Sequence, residues 1–304
     1  MLKDAGRRVR ARAATMGGCA MDVESTGFFE EFTRLCESGY ALGWHEGGAG
    51  NLSYRLSADD LAACADALAG DDAADDWRDL DVEASELAGA YLLVSASGAH
   101  VRDIARRPRE RCGIVHISEC ADAWRCEWGF EHGARPTSEF PTHVLAHGAR
   151  LRAAASEACR VVYHAHCPHV TALSTLLAPD SRTWTRVLWR QMTECIVYFP
   201  EGVGVVGWMV PGGSDIAYAT AEQLAARRAV VWTQHGLVAT GASFDDVFAL
   251  AHGIEKAAGM YLEARAANGG AEPPHLVSDA QLRAICDAYG VCPEQAFLDD
   301  DSLI

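Results

Sequence analysis

The chain has 304 residues, 49% of them hydrophobic and 22% charged, enough apolar material for a substantial core and too little charge for a disordered chain. Its formal charge of −16 argues against a nucleic-acid or anionic-membrane partner, which calls for a basic patch. Only Lys3 and Lys256 are lysines, so imine chemistry has almost no candidate nucleophile. The eleven cysteines are scattered and odd in number, without a Cys-x-x-Cys pair. This excludes a zinc ribbon or thioredoxin motif and favours free thiols in a reducing cytoplasm.

Residues 1–21 carry Arg7, Arg8, Arg10 and Arg12 without apolar periodicity, and read as a disordered extension or as a start placed upstream of a true Met21. Helical spacing follows an N-cap at Ser25 or Thr26, with Phe28, Phe32, Leu35 and Leu42 on one face, and stops at Gly43. The glycine-dense turn Gly47–Asn51 leads into an alternating stretch, Leu52–Leu56. Residues 57–86 are rich in Ala and Asp and read as an acidic surface insertion, a helix followed by a solvated loop. A strand over Tyr91–Val94 precedes the turn Ser95–Gly98, and further strands are expected at Gly113–Ile117, Trp124–Trp128, Arg160–Tyr163, Cys195–Phe199 and Ala229–Thr233. Helices are expected from Thr137 or Ser138, from Pro168, and over Ser214–Arg228, Phe244–Ala267 and Asp279–Tyr289. Strands and helices interleave without repeats or a Pro/Ser linker, which predicts one α/β domain over residues 22–304.

Three local patterns carry chemistry. In Val161-Val162-Tyr163-His164-Ala165-His166, positions two apart on a strand share a face, so His164 and His166 can converge on one metal ion. Alone, this spacing more often marks two ordinary hydrogen-bonded histidines; Cys167 and His169 lie nearby, but Pro168 turns the chain away. A second apolar run ends at His235, followed by Gly236, which suits the edge of a site. In RPTSEFPTH, Thr137 or Ser138 caps a helix with Glu139 in its first turn, where the helix dipole alone justifies a carboxylate. The functional reading is a proton-transfer base beside a metal, with His143 and His147 further along as weak ligand candidates. Finally, Gly47–Asn51 and Ser97-Gly98 are plain turns taken singly, but with Thr137 and Ser138 they can cradle a phosphate. In so acidic a chain, such donors must act locally, within the screening length.

Taken in order, GGAGNLSYRL, VSASG, RPTSEFPTH, VVYHAHCPHV and VWTQHG resemble the class II aldolase/adducin family, over roughly Phe28 to Phe297. Within it, Trp184–Gly204 and Gly207–Gln223 resemble the branch acting on L-rhamnulose 1-phosphate. The resemblance implies a three-layer α/β/α domain around a mixed, largely antiparallel sheet. It also implies one Zn2+ per subunit held by His164, His166 and His235, with Glu139 as catalytic carboxylate and Glu194 as a second, acting in its own or a neighbouring subunit. A buried salt-bridge partner is the structural alternative for Glu194. The family's phosphate site maps onto Gly50, Asn51, Ser97, Gly98, Thr137 and Ser138; Gly48 and Ala99 depart from the asparagine and lysine usual in that branch. The implied activity is reversible retro-aldol cleavage to dihydroxyacetone phosphate and L-lactaldehyde by a cytoplasmic homotetramer. An L-fuculose-phosphate aldolase, a pentose-phosphate epimerase or a sugar-phosphate dehydratase would use the same metal site. A noncatalytic, adducin-like interaction module would instead have lost the histidines.

Overall fold

Nine strands of two to seven residues, most of them built on apolar runs, form in the computed structural model, which describes residues 22–70, 76–153 and 159–298. The strands are β1 (Asn51–Arg55), β2 (Arg78–Asp79), β3 (Tyr91–Ser95), β4 (Cys112–Ile117), β5 (Ala123–Gly129), β6 (Val161–Ala165), β7 (Gly204–Val206), β8 (Ala229–Trp232) and β9 (Gly236–Gly241). The α-helices are α1 (Gly27–Ala41), α2 (Ala58–Cys64), α3 (Pro108–Arg111), α4 (Phe140–Ala153), α5 (Pro168–Leu173), α6 (Ser181–Trp189), α7 (Cys195–Tyr198), α8 (Ser214–Leu224), α9 (Phe244–Ala267) and α10 (Asp279–Tyr289). The Arg-rich extension expected over 1–21 lies outside the described residues, as does part of the expected acidic insertion.

One sheet runs in the order β2-β5-β4-β3-β1-β6-β9-β8-β7. Every pairing is antiparallel except β7 with β8. Helices cover both faces, so the central strands are apolar on both sides rather than alternating. Leu52, Tyr54, Val161 and Tyr163 pack with Phe32 of α1, Trp184 of α6 and Ile254 of α9. Leu92, Val94, Val162 and Val238 pack on the other face, with Val144 and Leu145 of α4 and Ile216 of α8. This is the expected three-layer α/β/α arrangement.

The departures have local causes. Cys195–Phe199 is not a strand: the Glu194 carbonyl accepts from Val197 N at 3.0 Å and Tyr198 N at 2.9 Å, closing the short helix α7 and burying Cys195 and Ile196. A five-residue apolar run does not distinguish a strand from a buried helical turn. Thr26 occupies the N-cap position of α1, but its hydroxyl donates back to the Val23 carbonyl at 2.7 Å instead of capping. Leu42 lies past the end of α1 and is exposed, off the buried stripe of Phe28, Phe32 and Leu35. Helix α8 ends at Leu224, four residues short of Arg228. The sequence pattern also passes over α6, β2, β7 and β9. Of these, β2 comes from the acidic 57–86 segment and pairs with β5. Ser57 starts α2 with a reciprocal capping box to Asp60, and Cys64 is wholly buried. The ten cysteines among the described residues are free thiols, and no described helix is long and apolar enough to cross a membrane.

Candidate active site

Strand register assembles the site. Asn51 on β1 lies opposite His164 on β6, and Ser53 lies opposite Val162. Cross-strand partners share a face, so Asn51, Ser53 and His164 all point to the side covered by α4. His166 follows the end of β6 with the same parity. His235 arrives from the turn between β8 and β9, where Gln234 adopts a left-handed conformation at φ 54°. That conformation is uncommon outside glycine. It is pinned by Ser174, whose hydroxyl accepts from Gln234 N at 2.8 Å and whose carbonyl accepts from Gln234 Nε2 at 2.7 Å. Gly236 is needed next to it: a Cβ there would lie 2.4 Å from the Ala165 carbonyl oxygen, so any side chain would push β9 off β6.

The three histidines meet. One ligand nitrogen from each of His164, His166 and His235 lies within 4.8 Å of the others, and their ring centroids are 4.8–5.2 Å apart. Second contacts orient two of the rings. His164 Nδ1 donates to the Leu237 carbonyl at 3.1 Å, and His166 Nδ1 pairs with Glu46 Oε1 at 2.6 Å. In each case this contact leaves the other nitrogen for a ligand, as metal-ligating histidines require. His164 is 2% exposed, yet its Nε2 has no hydrogen-bond partner. A buried, unpartnered imidazole nitrogen aimed at two more imidazoles fits a borderline-soft divalent cation such as zinc. Burial and the neighbouring imidazoles hold the His164 pKa well below its ordinary value, and burial also lowers that of His235, leaving both neutral as ligands must be.

Glu139 sits beside this triad. It does not occupy the first turn of α4 as expected; it precedes the helix, and its carbonyl accepts from His143 N at 3.2 Å. The Thr137 hydroxyl accepts from Glu139 N at 3.3 Å. The carboxylate is 7% exposed, with Oε2 3.6 Å from His164 Nε2 and Oε1 3.8 Å from His235 Nε2. Asn51 Nδ2 donates to Oε2 at 2.8 Å. Asn51 therefore bridges to the carboxylate, and one amide hydrogen remains for a bound ligand.

The glycine turns lie alongside one another. A Cβ on Gly48 would be 2.9 Å from the Gly98 carbonyl oxygen, so the two turns touch at their backbones. Ser97 N donates to the Arg135 carbonyl at 2.9 Å, and Thr137 N to the Ser95 carbonyl at 3.0 Å, which ties the second turn to the segment before Glu139. Ser97, Gly98 and Ser138 are exposed, whereas Gly50, Asn51 and Thr137 are buried. The contact explains why Gly48 carries no side chain here. Ala99 is 2% exposed, in a place where a lysine could not reach solvent without repacking.

Glu194 is exposed at the start of α7, on the α9 side of the sheet, opposite the face bearing Glu139. It is not the buried salt-bridge partner that was its structural alternative, nor does it join the histidines within one chain. His143 and His147 are buried and do not enter the triad; they bond to Ser53. Cys167 is buried, and His169 pairs with Glu255 at 2.8 Å, away from the metal-type cluster. Sequence reasoning missed Glu46 and also His45, which fixes the first glycine turn. His45 Nδ1 donates to the Ala49 carbonyl at 3.1 Å, and its Nε2 accepts from the Tyr163 hydroxyl at 2.7 Å. Burial lowers the His45 pKa to about 4, which keeps that ring neutral.

The model of the class II aldolase and adducin N-terminal domain matches residues 30–262. The chain is 37% identical over 282 residues to a rhamnulose-1-phosphate aldolase of Enterococcus faecalis, covering 92% of this chain and 97% of that protein. It is 34% identical over 279 residues to the enzyme of the same name from Listeria innocua, covering 92% and 99%. Among solved structures, a sugar-phosphate aldolase from Thermotoga maritima superposes with a TM-score of 0.62 at 24% identity, over 80% of this chain and 97% of that one. An L-fuculose 1-phosphate aldolase superposes with a TM-score of 0.56 at 16% identity, over 90% and 100%. The chain belongs to the class II aldolase and adducin family.

Proposed function

We propose that this chain is a metal-dependent aldehyde-lyase that reversibly cleaves L-rhamnulose 1-phosphate to dihydroxyacetone phosphate and L-lactaldehyde. The reading is supported by its two near-full-length relatives of that name. The observation that carries the chemistry is the inward, unpartnered His164 Nε2 beside His166, His235 and a buried carboxylate. His164, His166 and His235 would hold a zinc ion, which supplies Lewis-acid polarisation of the substrate's carbonyl and adjacent hydroxyl.

In the cleavage direction, the C4 hydroxyl gives up its proton, the C3–C4 bond breaks, and the electron pair stays on C3. Glu139, in its acid form, then delivers its proton to C3, and in the aldol direction its carboxylate takes that proton back. Its carboxylate lies 3.6 Å from His164 Nε2 and 3.8 Å from His235 Nε2, which supports that role. Glu194 of a neighbouring copy is assigned the C4 hydroxyl proton in a fourfold assembly, since within one chain it lies on the far side of the sheet. Gly50, Asn51, Ser97, Gly98, Thr137 and Ser138 hold the phosphate through backbone N–H groups and small polar side chains. That anchoring converts binding energy remote from the reacting carbons into alignment. The free thiols accord with a cytoplasmic location.

The test is aldol cleavage of L-rhamnulose 1-phosphate and L-fuculose 1-phosphate, each with and without chelator, together with metal analysis. Preferred cleavage of the rhamnulose ester, lost with chelator and restored by zinc, is expected. Preference for the fuculose ester would move the chain to that branch, and full activity in metal-free protein would overturn the mechanism.

A further inference from the structure

Five buried side chains, beginning with Glu139, form an unbroken row. Glu139 and Asn51 are each 7% exposed, His143 1%, and Ser53 and His147 are fully buried. Asn51 Nδ2 reaches Glu139 Oε2 at 2.8 Å, and Asn51 Oδ1 reaches His143 Nε2 at 2.6 Å. His143 Nδ1 reaches Ser53 Oγ at 2.7 Å, and Ser53 Oγ reaches His147 Nε2 at 3.0 Å. His147 Nδ1 has no partner.

Donor and acceptor chemistry gives this row one direction. A carboxylate only accepts, so the Asn51 amide must present its NH2 to Glu139 and its carbonyl to His143. The His143 hydrogen is then on Nε2, which makes Nδ1 an acceptor and obliges Ser53 to donate to it. Ser53 Oγ is left to accept, and His147 must donate from Nε2. The hydrogen-free His147 Nδ1 is then the atom without a partner, which avoids an orphaned buried N–H. Every hydrogen in the chain points toward Glu139. Burial also holds the His143 pKa near 3 and that of His147 well below its usual value, so neither ring adds a charge.

We propose that His147, Ser53 and His143 are positioning residues: a one-way chain of neutral hydrogen bonds that locks the Asn51 amide and, through it, the Glu139 carboxylate. Oε2 is held from behind, and Oε1 is left facing His235. The proposal rests on the reading of Glu139 as the proton-transfer group. No bond is made or broken in the chain and no proton crosses it; its effect is to remove rotational freedom from the group that does transfer one.

The experiment follows exchange of dihydroxyacetone phosphate hydrogen in deuterated water, with zinc-loaded enzyme, for wild type, Glu139→Gln, His143→Leu, His143→Gln and Ser53→Ala. Zinc content is measured on each protein, and 15N NMR of the imidazoles is recorded on wild type. His143→Leu should lower the exchange kcat about 10- to 100-fold with KM and zinc content little changed. His143→Gln, which keeps an N–H facing Asn51, should recover most of it, and Ser53→Ala should fall between. The NMR spectrum should show His143 and His147 as Nε2–H tautomers. Wild-type exchange in folded His143→Leu alongside slow exchange in Glu139→Gln would overturn the chain alone. An Nδ1–H tautomer at His143 would overturn it without reference to activity, even where the leucine variant fails to fold. Undiminished exchange in Glu139→Gln would instead remove the underlying role of Glu139, whatever the tautomers prove to be.

Discussion

Two groups of histidines share one face of the sheet and are solved in opposite ways. His143 and His147 are buried in α4 with three of their four ring nitrogens on protein partners, and the fourth is an acceptor. His164, His166 and His235 converge on one another, and the most buried of them keeps a nitrogen that meets no protein hydrogen bond. Burial depresses the pKa values of His143, His147, His164 and His235 alike, so a low pKa does not tell the two groups apart. The distinction is in how the rings are used: the inner pair spends three of its four nitrogens on protein partners, and the triad brings three imidazoles together around a common centre.

Deleting a member of each group should expose the difference most sharply. His164→Ala is expected to lose bound metal and more than ~100-fold in activity together, whereas His147→Ala should keep its metal; elemental analysis and cleavage rates check both. Glu139→Gln, at the junction of the two groups, should retain metal and lose about 10²–10⁴-fold in kcat, measured with saturating ketose phosphate. Glu46→Gln removes the carboxylate behind His166 and should weaken metal affinity about 10-fold in a competitive chelator titration, since Glu46 is largely exposed. No change there would place Glu46 outside the orientation of His166.

The closed pair should leave its mark on stability instead. Both histidines have folded-state pKa values below the unfolded value, to about 3 for His143, so the unfolded chain takes up protons first. The His143 contribution is fully present above pH 6.5 and is lost as the pH falls from there toward 3, and His147 acts in the same direction. Denaturant midpoints should drop across that window, and less steeply in His143→Gln. An equal drop in that variant would assign the pH dependence to other groups.

Much of this was legible in the residues themselves. The two-residue spacing of His164 and His166 and the His-Gly pair point to residues that the fold brings together, whereas the TSE motif suggests a first-turn glutamate and the helix starts one residue after it. The chain behind Glu139 was not legible, because it depends on β1 lying beside β6, a pairing between segments 110 residues apart that no local pattern encodes. Strand β9 escaped notice for a nearer reason: it begins one residue after His235, through a turn that relies on a left-handed glutamine. Strand β7 is three residues long and gives no period to read. Glu46 looks like any exposed acid until His166 is placed against it.

The pairing of Asn51 with His164 also limits how the molecule can vary. Residues on β1 alternate between faces, so one residue inserted between Asn51 and Ser53 would send the amide or the hydroxyl to the α9 side while His164 stayed behind. The stretch a few residues later, around α2 and β2, carries no part of the centre and lies toward the sheet's outer edge. Length changes should therefore accumulate at the margin and be absent from the five residues of β1. Catalytic competence in this fold depends on β1, β6, β8 and β9 being aligned together, whatever happens at the β2 edge.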